Sequence, residues 1–466
     1  MKDDFLDRSH SIAGPGFNRW LVPPAALCIH LAIGQAYAFS VFSKPMSMLL
    51  GITQPAAGDW KITDIGWIFS LAIVFLGLAS AFGGKWVESV GPRKSMFAAA
   101  LCFCGGLLIA GAGVALHFLP LVFLGYGVVG GIGLGIGYIS PVSTLIKWFP
   151  DRPGLATGTA IMGFGGGALI GAPLAVTLMK HYGNATFIGV APTMLTMGVI
   201  YLAFMLVGVF IVRVPPANWA PAGYAPPTAA SKMITTGNVL VGQAVRTPQF
   251  YLLWLVLFCN VTAGIGVLGQ ASLMIQEMFP GKFPHADPVQ TAASAALAGG
   301  FVGLLSIFNM GGRIFWASMS DFMGRKVTYA IFFVLGIALY ASIPALGHAG
   351  NLALFIFAYA IIISMYGGGF ATIPAYLRDL FGTINVGAIH GRLLTAWSAA
   401  GLVGPNLLNY IRQYQIDHGV AKADAYSTTM YVMASLLVVG LICNLLVKQL
   451  GEKYYVKTGS LQEATL

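Results

Sequence analysis

The chain has 466 residues, of which 57% are hydrophobic and only 9% are charged, and its mean hydropathy is +0.79. A soluble domain carries about 25% charged residues, so this composition excludes a soluble globular protein and predicts many membrane spans. The net charge of +10 is therefore interpreted through membrane topology before any nucleic-acid partner is considered.

Twelve apolar segments are long enough to cross a bilayer. In chain order they cover residues 20–43, 64–84, 95–116, 120–146, 154–179, 187–212, 250–276, 292–318, 327–347, 351–376, 388–411 and 427–448. This pattern predicts an all-α membrane protein with twelve transmembrane helices.

The loops between these segments predict the domain organisation and the orientation. Residues 1–19 form an N-terminal segment without the apolar core of a cleavable signal. A six-helix bundle at 20–212, a Pro- and Ala-rich linker at 213–249, a second bundle at 250–448 and a tail at 449–466 follow. Of the 25 lysines and arginines, 18 fall on the side of the N-terminus and 6 on the other side. The positive-inside rule then places both termini and the linker in the cytoplasm.

The two predicted bundles repeat each other at an offset of 233 residues. The offset relates these glycines and prolines: Gly91 and Gly324, Pro141 and Pro374, Gly154 and Gly387, Gly158 and Gly391. A parallel repeat of six helices is one architecture of secondary transporters, whose substrate site lies near the midplane between the halves. The repeat therefore predicts two pseudo-symmetric six-helix bundles with a site between them.

One arginine, Arg313, lies inside the eighth apolar segment, eight residues before Asp321. At about 1.5 Å per residue it is about 12 Å inside the boundary, near the midplane of a hydrocarbon core about 30 Å thick. Ser306 and Asn309 lie on the same helix face. A charge at this depth indicates a functional site, and an arginine that reaches the interface or donates to helix carbonyls is the alternative.

The predicted spans contain no Asp or Glu that would neutralise Arg313. A planar guanidinium matches a carboxylate, so an anion from outside the protein is the predicted counter-ion. The five cysteines have no zinc-type spacing, and we find no nucleophile–base pair or phosphate loop at a membrane face. The chain is therefore expected to be neither an enzyme nor a binder of a cofactor or metal.

Several stretches resemble a known family. The loops WVESVGPRK and MSDFMGRK resemble the loop motif of the major facilitator superfamily, although Glu88 replaces its Asp in the first copy. The stretches GQAYAFSVF, RTPQFYLLW, YGGGFATIPAYLRDLFG and GLGIGYISPVSTLIKWFPDRPGLATG resemble the oxalate/formate antiporter family, which is related to the monocarboxylate transporters. The resemblance covers nearly the whole chain and implies an anion carrier that works by alternating access.

This resemblance also implies which residues bind substrate. The family's arginine in helix eight matches Arg313, but its lysine in helix eleven is replaced here by Trp397. The family's proton-coupled relatives have an acid near the arginine, where this chain has Asn309. The predicted substrate-binding residues are Arg313, Asn309, Gln35, Tyr37, Tyr138, Tyr366 and Trp397.

Two further sets of residues have predicted roles, in proton coupling and in gating. His30 lies within the first span and would carry a coupled proton, or else make a structural hydrogen bond between helices. Glu88, Arg93, Asp321 and Arg325 recur in the two equivalent loops. They are expected to form charge pairs that gate the cytoplasmic side, with simple marking of topology as the alternative.

The function predicted from these observations is exchange of small carboxylates across a bacterial inner membrane. One fixed positive charge suits a monocarboxylate such as formate, lactate or pyruvate, because a dianion leaves a second desolvated charge without a partner. Proton-coupled symport, oxalate or dicarboxylate antiport, and a transporter-like sensor are the alternatives. The expected partners are small carboxylates and the lipid bilayer, with no nucleic acid, and the expected state is a monomer.

Overall fold

The computed structural model describes residues 5–52, 54–217, 219–224, 233–235, 237–283 and 288–456. Parts of the predicted N-terminal segment, linker and tail (1–4, 218, 225–232, 236 and 457–466) lie outside these residues. The long helices are α1 Arg19–Ala38, α2 Ile62–Val90, α3 Pro92–Ala115, α4 Leu119–Trp148, α5 Pro153–Tyr182, α6 Val190–Ile211, α7 Pro248–Met278, α8 Pro288–Met323, α9 Arg325–His348, α10 Leu352–Phe381, α11 (the two segments Val386–Leu393 and Thr395–Asp417) and α12 Ser427–Leu446.

These helices confirm the predicted all-α membrane fold. In the described part of the chain, eleven helices are long and apolar enough to cross a membrane, and no β-strand is present. The remaining predicted span is α11, which is interrupted at Leu394.

The helices pack as two equivalent sets. In the first set α1 packs on α5 and α6, α2 on α4, and α3 on α6. In the second set α7 packs on α11 and α12, α8 on α10, and α9 on α12. Every one of these pairs has its counterpart six helices later, so the sequence repeat is also a repeat of packing. We call the end of the molecule that carries the α2–α3 turn, the α8–α9 turn and the linker the linker end.

Each of these two turns is a single glycine. Gly91 and Gly324 have φ angles of 81° and 86°, a conformation that glycine adopts without the steric cost that other residues meet. Because one residue reverses the chain, α2 and α8 extend beyond the predicted spans 64–84 and 292–318. Glu88 and Asp321 therefore lie on the last helical turns, not in polar loops as predicted.

Close approach of helices joins the two sets at the linker end. On α5, a Cβ atom at Gly158 would lie 2.8 Å from the Arg313 carbonyl oxygen of α8. On α11, a Cβ atom at Gly391 would collide with the Ser80 carbonyl oxygen of α2. The 233-residue offset relates Gly158 to Gly391 and Ser80 to Arg313. These two equivalent contacts hold α5 against α8 and α2 against α11.

Candidate functional site

Arg313 is fully buried, with 0% of its surface exposed. Its Nε donates to the Asn309 side-chain oxygen at 3.1 Å, and its Nη1 donates to the Ile161 carbonyl oxygen of α5 at 3.2 Å. The Nη2 atom is buried and has no hydrogen-bond partner. Arg313 therefore reaches the contact between α8 and α5 and keeps one donor group unused.

No acidic side chain neutralises this arginine. None of the ion pairs among the described residues includes Arg313. Instead, aromatic faces lie near the guanidinium carbon, with ring centres at 5.9 Å for Phe164 and 5.3 Å for Phe370. Such cation–π contacts stabilise a desolvated cation by about 2 kcal/mol or more, which is less than a buried charge loses on leaving water.

Six aromatic side chains, three from each half, surround Arg313, and we call them the aromatic cluster. Its members are Tyr37, Tyr138, Phe164, Tyr366, Phe370 and Trp397. The Trp397 ring centre lies 5.3 Å from Tyr138, 5.2 Å from Phe164 and 4.6 Å from Phe370. Across the two halves, the Tyr37 and Tyr366 hydroxyls lie 3.1 Å apart. All four aromatic residues selected from the sequence thus lie in one cluster.

Local breaks in two helices position this cluster. The Gly34–Ala38 part of α1 is a 3₁₀ helix and carries Tyr37. Its first residue, Gly34, packs against the backbone of Phe164, leaving no room for a side chain. In α11 the break at Leu394 comes three residues before Trp397. These interruptions turn Tyr37 and Trp397 towards Phe164.

Several hydrogen-bond donors at the cluster are buried without an acceptor. They are Arg313 Nη2, Trp397 Nε1 and the Tyr138 hydroxyl. Buried polar groups are normally paired, and a group of unpaired ones needs an explanation. A ligand whose polar atoms are all acceptors matches these donors.

Gln35 bonds within the first half, so its contact with substrate stays a prediction, and sequence reasoning missed Phe370. The Gln35 side-chain oxygen accepts from the Tyr126 hydroxyl at 3.3 Å, within the first half, and none of its hydrogen bonds leads to Arg313. Phe370, in contrast, packs on Trp397 and lies near Arg313. Its position one helical turn after Tyr366 is the sequence signal that would have found it.

The acids at the linker end bind backbone N–H groups of the opposite half. Asp321 accepts from Gly154 N at 2.8 Å and Leu155 N at 2.9 Å, at the start of α5. Glu88 accepts from Gly387 N at 3.2 Å, at the start of α11. Helix N-termini attract negative charge. Because the 233-residue offset relates both partners, the two contacts are equivalent and join the two halves at the linker end.

Charge pairs hold these two carboxylates in place. The Arg325 guanidinium lies 2.6 Å from Asp321 and 3.1 Å from Asp379. Arg325 was expected to form such charge pairs. Glu88 pairs with Lys147 at 2.5 Å, and Arg93 is in none of the ion pairs among the described residues. Arg93 instead donates to the Phe5 carbonyl oxygen at 2.9 Å and stacks on the Phe5 ring. Arg93 therefore anchors the N-terminal segment.

The members of the aromatic cluster differ in exposure. Tyr37 is partly exposed, whereas the other five members are buried. Among the described residues, α1 and α7 are not one of the helix pairs in close contact. Tyr37 is therefore the member of the cluster nearest to accessible space.

Three comparisons relate the chain to known proteins. Residues 17–405 match the family described as Major Facilitator Superfamily. The oxalate:formate antiporter of Oxalobacter formigenes is 27% identical over 84% of each chain. Apicoplast pyruvate carrier 1 of Toxoplasma gondii is 23% identical over 82% of this chain and 75% of its own. The fucose:proton symporter FucP of E. coli has a similar fold, with a TM-score of 0.64, 12% identity and coverage of 93% of this chain and all of that one.

Proposed function

The chain belongs to the Major Facilitator Superfamily, and from this premise we propose that it carries small carboxylate anions by alternating access, with Arg313 as the anion ligand. It is a multi-pass membrane transporter and not an enzyme. The observation that carries the proposal is the buried, unpaired Nη2 group of Arg313. An acceptor-only anion would satisfy that group and neutralise the charge.

The donors around Arg313 favour a carboxylate over other ligands. A carboxylate offers two oxygens that accept in one plane, and the guanidinium fork matches that geometry. Trp397 Nε1 and the Tyr138 hydroxyl add donors on the other side of the cluster. The related carriers named above are named for oxalate, formate and pyruvate, which are all small carboxylates.

Within this class, we propose monocarboxylates as the preferred substrates. Arg313 supplies one fixed positive charge, and the position of the family's second cation holds Trp397. A dianion would bring a second charge into an aromatic cluster without a permanent partner, at a cost of several kcal/mol. Exchange of one anion for another is the proposed mode, because none of the ion pairs in the described part of the chain gives Arg313 an acid that could carry a coupled proton.

In the proposed cycle, the two ends of the protein close in turn. Glu88 and Asp321 on the helix N-termini support a closed linker end. We propose that the Tyr37–Tyr366 contact is the barrier between the site and the opposite end. The excess of positive residues at the linker end supports its assignment to the cytoplasm, in a bacterial inner membrane. Substrate would enter past Tyr37, bind Arg313, and leave when the two halves separate at the linker end.

Counterflow in proteoliposomes with a panel of carboxylates tests this proposal. Vesicles preloaded with unlabelled formate, lactate, pyruvate or oxalate would receive external labelled lactate. We expect internal monocarboxylates to stimulate uptake, and oxalate to compete at least about tenfold less well, which corresponds to about 1.4 kcal/mol. Tighter binding of oxalate than of lactate would contradict the single-charge argument. Absence of uptake with every carboxylate would overturn the proposed substrate class.

Closure of the linker end gives a second prediction. We expect Gly391→Ala to reduce the counterflow rate about tenfold, because its methyl group would meet the Ser80 carbonyl oxygen and overpacking costs about 1–3 kcal/mol. The matched control is Gly105→Ala on α3, where a Cβ atom meets nothing within 4 Å. Equal rates for the two variants would show that this contact does not limit the cycle.

A further inference from the structure

A second histidine, His390, lies buried between the halves. It belongs to the first segment of α11, is 1% exposed, and neither ring nitrogen has a hydrogen-bond partner. Its ring centre lies 5.9 Å from that of Tyr138. A neutral imidazole has one donor and one acceptor, so both groups are desolvated here without compensation.

The sequence repeat indicates which partner His390 lacks. At the offset of 233, His390 corresponds to Thr157 and Ala371 corresponds to Tyr138. Thr157 Oγ1 donates to the Ala371 carbonyl oxygen at 2.7 Å, from one half to the other. The equivalent bond would run from His390 to the Tyr138 carbonyl oxygen. This bond is absent, so the interface is asymmetric at this place.

His30 binds the carbonyl oxygen of Tyr138, which the repeat predicts as the acceptor for His390. Its Nε2 lies 3.2 Å from the Tyr138 carbonyl oxygen. Because a carbonyl only accepts, this nitrogen carries a hydrogen of the ring. Two histidines from different halves thus flank Tyr138.

The surroundings disfavour a charged imidazole in this closed arrangement. Arg313, on α8, acts on His30 as a like charge. The acid at this part of α11 is Glu88 of α2, which binds Gly387 N three residues from His390 and is already paired with Lys147 of α4. Tyr138 supplies a neutral hydroxyl from α4. A proton on either histidine would therefore be a buried charge without its own counter-ion.

We propose that His390 and His30 form a proton-binding site between the halves, filled only when the linker end opens. This inference rests on the proposed alternating access. Opening admits water to both rings and separates them, which removes the burial that opposes the charged form. A ligand that binds one of two states shifts the population towards that state. Acid on the linker side therefore favours the open form. Binding of one proton changes the ratio of open to closed protein by up to about tenfold per pH unit.

The test measures opening directly, without any carboxylate. Spin labels would be placed at Ser89 and Phe322, which are exposed equivalents in the two halves, in full-length protein whose native cysteines are replaced. Distances between the labels would be recorded in nanodiscs at about pH 5.5 and 7.5, on either side of the ordinary histidine pKa. We expect the population with the longer distance to grow at least fivefold on acidification. His390→Gln should abolish this change, and His348→Gln, which alters an exposed histidine at the opposite end, should preserve it.

Each outcome decides the inference. A shift that persists in His390→Gln would place the titrating group elsewhere, with Glu88 and Asp321 as the first candidates, and would overturn it. Absence of any shift in the parent would also overturn it. If His390→Gln does not fold, His390→Asn and the parent measurement still apply. Failure of the proposed substrate class would leave this distance change intact, so the two failures are distinguishable.

Discussion

Arg313→Gln is expected to lower carboxylate counterflow by at least about 100-fold, the largest effect predicted for any single substitution in this chain. Arg313 is fully buried and is in none of the ion pairs among the residues that the structure describes, so the substrate anion is its proposed counter-ion. Removing one partner of a buried charge pair costs about 3–5 kcal/mol, and each 1.4 kcal/mol corresponds to about a factor of ten in affinity. The carboxylate would then be desolvated without a cation.

Arg313→Lys separates charge from geometry. Lysine keeps the positive charge but loses the planar fork and the Nε donor that binds Asn309. We therefore expect Arg313→Lys to retain more activity than Arg313→Gln and less than the parent protein. The pair of variants would show how much of the recognition depends on two parallel hydrogen bonds.

The measurement combines counterflow with binding in detergent, where both ends of the protein are accessible. Arg392→Gln is the matched control, since Arg392 lies on α11 and donates only to the Ala388 carbonyl oxygen of its own helix. It should keep near-parental rates. Parental counterflow in Arg313→Gln would eliminate Arg313 as the anion ligand, and with it the observation on which the proposed function rests.

The sequence predicted the fold well because its signals are local or periodic. Apolar length alone located the spans, and the glycines and prolines at the 233-residue offset predicted the equivalent packing of the two halves. Arg313 was found because a charge in an apolar segment is rare and costly. Tyr37, Tyr138 and Trp397 were selected from a family resemblance, and their meeting around Phe164 needed the tertiary structure.

The contacts of Glu88 and Asp321 between the halves were harder to predict because their partners are invisible in sequence. Both acids bind backbone N–H groups at helix starts, and every residue except proline carries such a group. The sequence predicted charge pairs without naming the partner of Glu88, and the helix packing brings Lys147 to it. One offset relates both acids and both helix starts, so either contact, once seen in the structure, identifies the other.

Asp321→Asn is expected to slow exchange about 5- to 30-fold while leaving substrate binding nearly unchanged. The Asp321 carboxylate accepts from Gly154 N and Leu155 N and pairs with Arg325. Asparagine keeps one acceptor oxygen but loses the charge, which removes about 1–2 kcal/mol from the closed linker end, equivalent to a factor of about 5–30 in population. Arg313 lies eight residues away, about 12 Å along α8, so its own contacts should persist.

This prediction depends on a difference between two measurements, because a general loss of structure would lower both. Asp64→Asn is the control, since Asp64 is an exposed acid in the first turn of α2 at the opposite end, and it should leave both values unchanged. Glu88→Gln should reproduce the effect of Asp321→Asn through the equivalent contact at Gly387. The double variant should lower exchange by the product of the two factors, as expected of separate sites without shared partners. Equal losses of binding and exchange in Asp321→Asn would mean that Asp321 supports the site itself, and the proposed separation of gate from ligand would then be wrong.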